Sequence, residues 1–449
     1  MSEEAKNNAA PEGQRAYDFA AGIFPLTRSL TGEGNRQTLR MVNEEIADAG
    51  LSFTVSEIPS GTRVFDWTVP KEWVIREAYI EGPDGSRVID MRNNNLHVLG
   101  YATPVDRVVP LEELKQYVYT QEDNPEVIPY VTSYYKERYG FCMSKKQLDA
   151  LPEGNYRMFI DSELKEGSLT TGELLVPATE GMGDGEVLFS SYICHSSMAN
   201  NECSGPALMT ALIRHVAAMP RRRYAYRFLL YPETIGAISY LSTHLEHLRK
   251  HMKAGFVLSC VGDAKAYSHT QSKYGNTLAD RVLAQVLRTR ENVRTYRFLE
   301  GGGGSDERQY NAANVNLPMV CFSRSRFAQY PEYHTSADNM SIVSPEGLQG
   351  SFDVMCEVIE ALEYNRHYRM TVPCEPQLGK RGLYPTVSKK GIYDALQPMR
   401  LFIAYADGSN DLLWIAERAE VPVRDLIPVI ESLKEHGLLT TQETGLPEP

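Results

Sequence analysis

Apolar residues first recur at helical spacing. In RQTLRMVNEEIADAG, Leu39, Val42 and Ile46 fall three and four residues apart and Gly50 follows as a stop, so residues 14–50 are predicted to be helical. From about 60 to 130 the texture changes to short alternating runs, with a strong turn signal at Pro83-Asp84-Gly85. This block predicts a small β-rich domain inserted into a larger one. From about 170 the period switches back and forth. EVLFSSYIC (186–194) reads as a buried strand, SGPALMTALIRHVAAM (204–219) as a helix, AYRFLLY (225–231) as a strand and IGAISYLSTHLEHL (235–248) as a helix. GFVLSCV (255–261) and LPMVCFS (317–323) are further strands. Such alternation predicts an α/β domain on a mainly parallel sheet. The expected boundaries are 14–60 with 150–385 for the α/β domain, 61–149 for the insertion and 386–449 for a last unit.

Polar side chains stand at the C-terminal ends of these runs. His195 follows the first strand, Glu233 the second, in YPETIG, and Asp263 the third, in VGD. In open α/β sheets ligands bind beyond the carboxyl ends of the strands, so four strand-end loops are expected to meet at one site. Residues 386–449 read differently. NDLLWIAERAEVPVRDLIPVIESLKEHGLLT gives helix, turn, helix, with Leu412, Leu413 and Ile415 on one apolar side, then Leu426, Ile427, Val429, Ile430 and Leu433. The pattern resembles a winged-helix module. Its second helix carries Arg424 and Lys434 but also Asp425 and Glu431, whereas a DNA-reading helix needs a basic face. A packing or dimer role is expected, and a homo-oligomer is left open.

Composition narrows the class. A chain of 449 residues predicts two or three domains. No run reaches the roughly 18 apolar residues of a membrane span, and a net charge of −12 disfavours nucleic acid or an anionic membrane as partner. The polar stretch MSEEAKNNAAPEGQR at 1–15 lacks the apolar region of a secretion signal and reads as a frayed tail. The seven cysteines, Cys142, Cys194, Cys203, Cys260, Cys321, Cys356 and Cys374, form no CxxC pair, so reduced thiols and a cytoplasmic location are expected.

Zinc needs three or four N, O or S ligands, with an open position if it is catalytic. His195 and His334, the latter in YPEYHTSADN, are the best imidazoles; His215, His244, His247 and His251 sit in helical contexts. Glu233 reads either as a helix-start carboxylate favoured by the dipole or as a general base. In GGGGSDERQY (301–310) the four glycines permit close backbone approach, and Arg308 suits a carboxylate clamp; Arg324 and Arg326 are weaker candidates, with structural ion pairing the alternative. A nucleophilic Cys194 or Cys203 would need exposure and an activated thiolate, and buried structural cysteine is the preferred reading of both.

The series CHSSMANNECSG, PETIG, VGD, GSDERQY and YPEYHTSADN resembles the zinc exopeptidase clan of aminopeptidases and glutamate carboxypeptidase-like proteins. More closely it resembles a bacterial aminopeptidase-like branch, found near polysaccharide and natural-product biosynthesis genes, with an inserted small domain and a C-terminal winged helix. The resemblance covers nearly the whole chain. SDERQY and YHTSADN are its specific parts. It implies an aminopeptidase-like α/β fold and places the clan's five-ligand, two-metal site on this chain. The first histidine falls on His195 and the bridging aspartate on Asn201. The Glu-Glu pair falls on Glu233 and Thr234, the next aspartate on Asp263 and the last histidine on His334.

The departures matter. An amide at 201 cannot offset the repulsion between two cations, and Thr234 removes a second-site ligand, so one zinc per chain is expected. Its ligands would be His195, His334 and either Asn201 or Glu202, with Asp263 an outer-shell group, or a ligand only if its loop has shifted. The resemblance thus implies a zinc-dependent amide hydrolase with Glu233 as base. Asp306, Arg308, Arg324 and Tyr333 would contact a small peptide or aminoacylated metabolite of a biosynthetic pathway. The alternative is a repurposed, non-hydrolytic fold that binds, scaffolds or transfers an acyl group.

Overall fold

Strand and helix starts follow the apolar runs closely. A computed structural model describes residues 11–442 except 182 and 384–391. Most of the expected tail (1–15) and both ends of the expected last unit (386–449) therefore lie outside the described residues. The first unit comprises residues 11–279 and 294–352. Its strands longer than two residues, in chain order, are β1 (Thr54–Pro59), β2 (Glu72–Glu81), β3 (Arg87–Asp90), β4 (Val105–Pro110), β5 (Asn155–Lys165) and β6 (Ser168–Val176). There follow β7 (Glu186–Tyr192), β8 (Ala225–Tyr231), β9 (Met252–Leu258), β10 (Tyr267–Thr270), β11 (Val293–Tyr296) and β12 (Met319–Ser323).

Eight of them form one sheet in the order β1-β6-β8-β7-β9-β12-β10-β11. Its centre is parallel: β7 pairs with β8 and β9, and β9 with β12. The flanking pairs β1–β6, β6–β8 and β10–β12 are antiparallel. Every residue of β7 is buried, as expected for a parallel strand covered on both faces. Phe189 stacks on Phe228 and Phe256 of the neighbouring strands, with centroids 5.5 and 5.4 Å away. Helices α1 (Glu12–Ile23), α2 (Glu33–Glu45), α3 (Ser204–Ala218) and α4 (Ile235–His251) accompany the sheet. Gly205 sets how closely α3 approaches: a Cβ there would lie 2.1 Å from Ser191 Oγ and 2.5 Å from the Leu258 carbonyl.

The predicted helix over 14–50 is two helices. Pro25 and Gly32 bracket the break, and the segment between them turns inward to bury Arg28. Strands β2 to β5 form a second, four-stranded antiparallel sheet in the order β3-β2-β5-β4, with its own core around Ile80, Leu99, Phe141 and Met158. The Pro-Asp-Gly signal makes the turn between β2 and β3, with Gly85 at φ 80°.

The second unit comprises residues 280–293 and 353–442. It holds helices α5 (Ile392–Tyr405), α6 (Leu412–Ala419) and α7 (Val423–Glu435) and a three-stranded sheet of β13 (His367–Met370), β14 (Asp407–Asp411) and β15 (Leu439–Gln442). Leu412, Leu413, Ile415, Leu426, Ile430 and Leu433 are buried, while Arg424, Asp425, Glu431 and Lys434 are exposed.

Candidate active site

The chain leaves β7 and carries His195 past the end of the sheet. It then enters α3 through one π-helical turn, Ala199–Cys203, a wide turn that often marks functional positions. His195 is 4 % exposed. Its Nδ1 lies 2.5 Å from Glu202 Oε2, and its backbone N–H donates to Glu202 Oε1 at 2.6 Å. The other ring nitrogen, Nε2, faces Glu233 Oε2 at 3.8 Å. Burial works against a charged ring, but Glu202 and Glu233 outweigh it and hold the His195 pKa above the ordinary value. Buried Arg28 stands behind Glu202, with Nε 3.6 Å from Oε1.

Asn201 and His334 meet across the cleft, with His334 Nε2 3.2 Å from Asn201 Oδ1. The His334 ring is 5.5 Å from that of His195 and stacks on Tyr333 at 3.9 Å. Burial, helped by the charge on His195, drops its pKa to about 3, so it stays neutral. Asp338 ties the two loops together. Its carboxylate accepts the N–H groups of Asn200 at 2.6 Å and Asn201 at 3.1 Å, and the Tyr330 hydroxyl at 3.0 Å.

Glu233 stands on a tight γ-turn at the start of α4. Thr234, at its centre, has φ 64° and ψ −74°, and Ile235 N–H donates to the Glu233 carbonyl at 2.8 Å. That geometry is rare and strained, the more so for a β-branched residue. Two side chains hold it. Asp306 Oδ1 accepts the Thr234 N–H at 2.7 Å, and Arg308 donates to Thr234 Oγ1 at 2.6 Å. Burial raises the Glu233 pKa, against the pull of His195 and Arg308; it raises Asp306 well above the usual range and Glu307 to about 7. Asp306 Oδ2, Glu307 Oε2 and Arg308 Nε are buried without a partner.

The remaining predicted residues are placed differently. Asp263 turns both oxygens to protein donors: Lys265 N–H and Ser325 Oγ on one, Ser325 N–H and Asn200 Nδ2 on the other, all at 2.8–3.0 Å. Arg324 is buried, donating to the carbonyls of Ala266 and Gly347 and stacking over Tyr267. Arg326 donates to the Glu300 carbonyl. The thiol of Cys194 accepts the Glu233 N–H, and burial pushes its pKa far up; Cys203 rises to about 11. All seven cysteines are free thiols.

Sequence reading missed the contribution of the segment around Tyr130. Tyr130 N–H donates to the His334 carbonyl at 2.9 Å, and its ring lies 5.0 Å from His195 and 5.1 Å from His334. Its hydroxyl meets that of Tyr134 at 3.1 Å. The aromatic density of PYVTSYYKERYG was the available signal, though nothing in it points to His195. Asp338, four residues after His334, was likewise within a quoted motif but unassigned.

Two groupings of donors must be told apart. Cys194, His195 and Glu202 lie close together. Zinc–ligand lengths of about 2.0–2.2 Å place two ligands of a tetrahedral ion roughly 3.3 Å apart, so a 2.5 Å separation is a hydrogen bond rather than a shared ion. Glu202 orients the ring through Nδ1, the arrangement usual behind a metal-bound imidazole. The second grouping is His195 Nε2, neutral His334 Nε2 and Asn201 Oδ1. The last two lie 3.2 Å apart, a separation that fits a hydrogen bond and that two neighbouring ligands of one zinc ion would also have.

Comparison with known proteins agrees with this architecture. Residues 17–365 match a family described as a domain of unknown function, DUF4910, and residues 366–441 match a winged helix-turn-helix. A Clostridium acetobutylicum protein described as a polysaccharide biosynthesis protein with an aminopeptidase-like domain is 39% identical over 435 residues, 96% of this chain and 97% of that protein. A crystal structure described as that of a peptidase from the same organism superposes with a TM-score of 0.88 at 38% identity, over 96% of each chain. A zinc aminopeptidase from Bacillus subtilis gives a TM-score of 0.57 at 13% identity, over 78% of this chain and 94% of its own, which is a likeness of fold. No helix among the described residues is long and apolar enough to cross a membrane.

Proposed function

The chain belongs to the DUF4910 family, with an aminopeptidase-like fold followed by a winged helix, and on that premise we propose that it is a zinc-dependent amide hydrolase. It would hold one ion per chain and act on a small peptide or aminoacylated metabolite. The observation that carries the reading is the orientation of His195: Glu202 occupies Nδ1 and leaves Nε2 facing Glu233. His195, His334 and Asn201 would be the ligands, with Glu202 behind His195 and Asp263 outside the shell. A zinc ion held by these residues would supply a Lewis acid for an acyl oxygen and would make a water more acidic. Glu233 accepts the proton of the attacking water and delivers it to the leaving amine; burial raises its proton affinity toward what that exchange needs. Asp306 and Arg308 hold the turn that aims Glu233, and Tyr333 and Tyr130 wall the substrate, with Arg324 as a buried support. A biosynthetic setting is supported by the description of the Clostridium relative.

The amide at 201 favours one competing reading, a repurposed fold that binds its ligand or transfers an acyl group without hydrolysis. Elemental analysis beside a panel of aminoacyl amides separates them. About one zinc per chain is expected, absent from His195→Ala. Glu233→Gln should keep the zinc and lose hydrolysis by roughly 100-fold or more. Two zincs would overturn the argument from Asn201. No zinc when zinc is supplied would sink the hydrolase and favour the competitor.

A further inference from the structure

Asn201 can face the candidate site with either end of its amide, and the two ends do opposite things. The oxygen accepts or ligates; the NH2 group only donates. In the structure Oδ1 meets His334 Nε2 at 3.2 Å. Nδ2 turns away from the site, to the Tyr192 hydroxyl at 3.3 Å and to Cys260 Sγ at 3.7 Å. The two ends of an amide have nearly the same shape, so packing does not choose between the orientations. Hydrogen bonding must.

The choice is made by a closed ring of donors that starts and ends on Asn201. Tyr192, the last residue of β7, is buried, as are Ser259 and Cys260. Ser259 Oγ donates to the Asn201 backbone carbonyl at 3.5 Å. A carbonyl cannot donate, so the direction of the other bonds follows from this one. Ser259, its proton spent, accepts from the Tyr192 hydroxyl. Tyr192, its own proton spent in turn, accepts from residue 201, and only Nδ2 has a proton to give. Burial pushes the Tyr192 pKa far up, so the hydroxyl keeps its proton. Each link is long or weak by itself, but in a dry interior the bonds of such a network reinforce one another. Reversing the ring would leave the Asn201 carbonyl without the Ser259 donor.

We propose that Tyr192 is a positioning residue that holds the Asn201 oxygen toward the site. It acts through the amide. Without the hydroxyl, Nδ2 keeps only Cys260 Sγ, a weak acceptor, and the amide is free to turn its NH2 group to His334. That the oxygen then ligates zinc rests on the hydrolase reading; the orientation of the amide does not.

The test reads the His334 ring. Facing an oxygen, its Nε2 carries the ring proton; facing an NH2 group, the proton moves to Nδ1. Nitrogen NMR on the chelator-treated full chain with isotope-labelled histidine, assigned by the signal lost in His334→Ala, should show the Nε2–H tautomer. Tyr192→Phe keeps the buried ring and should move the tautomer ratio about five-fold or more toward Nδ1–H, the weight of one hydrogen bond. A role in packing alone would not move it. An Nδ1–H ring in the parent protein, or a ratio unchanged in Tyr192→Phe, would overturn the proposal. Zinc affinity, from competition with a chelator, tests the link to the ligand set. Tyr192→Phe should weaken it roughly ten-fold or more, and by much less in an Asn201→Asp background, where either oxygen can ligate. Equal losses in both backgrounds would overturn the claim that the tyrosine acts through the amide. A tautomer that shifts in a chain that takes up no zinc would sink the hydrolase reading and leave the role of Tyr192 standing.

Discussion

Helix α6 of the C-terminal unit and helix α3 behind His195 solve the same problem in opposite ways. The first N–H groups of any helix lack partners within it. In α6 the solution is local: Asp411, the N-cap, accepts the Trp414 N–H at 2.9 Å. In α3 it is remote. The π-turn has no side-chain cap of its own, and its N–H groups go to Asp338, more than 130 residues along the chain. Helix α4 behaves like α3, since Thr234 N–H goes to Asp306. At the two helix starts beside the candidate site the orphan donors become ties between loops; at α6 a single residue supplies the cap.

The contrast can be broken most severely at Asp338. Asp338→Ala leaves two buried N–H groups without an acceptor and should cost about 3–5 kcal/mol, read from the denaturant midpoint. A loss below about 1 kcal/mol would mean the remote tie is ornamental. A middle-sized effect is expected at Thr234. Both Thr234→Ala and Thr234→Gly remove Oγ1, but only glycine tolerates φ 64° freely. The glycine variant should be the more stable by about 1–2 kcal/mol; equal midpoints would show that the γ-turn relaxes without its threonine.

The smallest effect tests the local cap. Burial pushes the Asp411 pKa up, but Arg281, bidentate at 2.8 Å, and the Trp414 N–H more than offset this and hold it below the ordinary value. The contribution is therefore present above the unfolded aspartate pKa, near ~3.9, and is lost as pH falls through the lower folded value. Asp411→Asn should flatten that acid limb in urea titrations of the C-terminal unit, at a cost of about 1 kcal/mol at neutral pH. An unchanged acid limb would assign it to other carboxylates.

What sequence could and could not reveal divides along the same line. His195, Glu233 and Asp263 were legible because each ends a readable apolar strand, and the parallel centre of the sheet brings those ends together. Glu202 was legible as an alternative ligand to Asn201, not as the partner of the His195 ring. Its position on Nδ1 depends on the width of the π-turn, which no periodicity encodes. Asp338 and Asp306 act through backbone N–H groups of other loops, and such contacts leave no pattern in their own segments. Arg28 was hidden inside what read as one continuous helix. Pro25 and Gly32 break the helix locally, and the loop between them is held by the carbonyl and carboxylate partners of Arg28.

Tyr130 has a consequence of another kind. The residue belongs to a segment remote in sequence from every strand-end loop, yet it lends an N–H to the His334 backbone and a ring to both imidazoles. The ceiling of the chamber and its floor are thus encoded separately. On the proposed reading, a change in the segment around Tyr130 would reshape what the site admits while the strand-end residues stayed fixed.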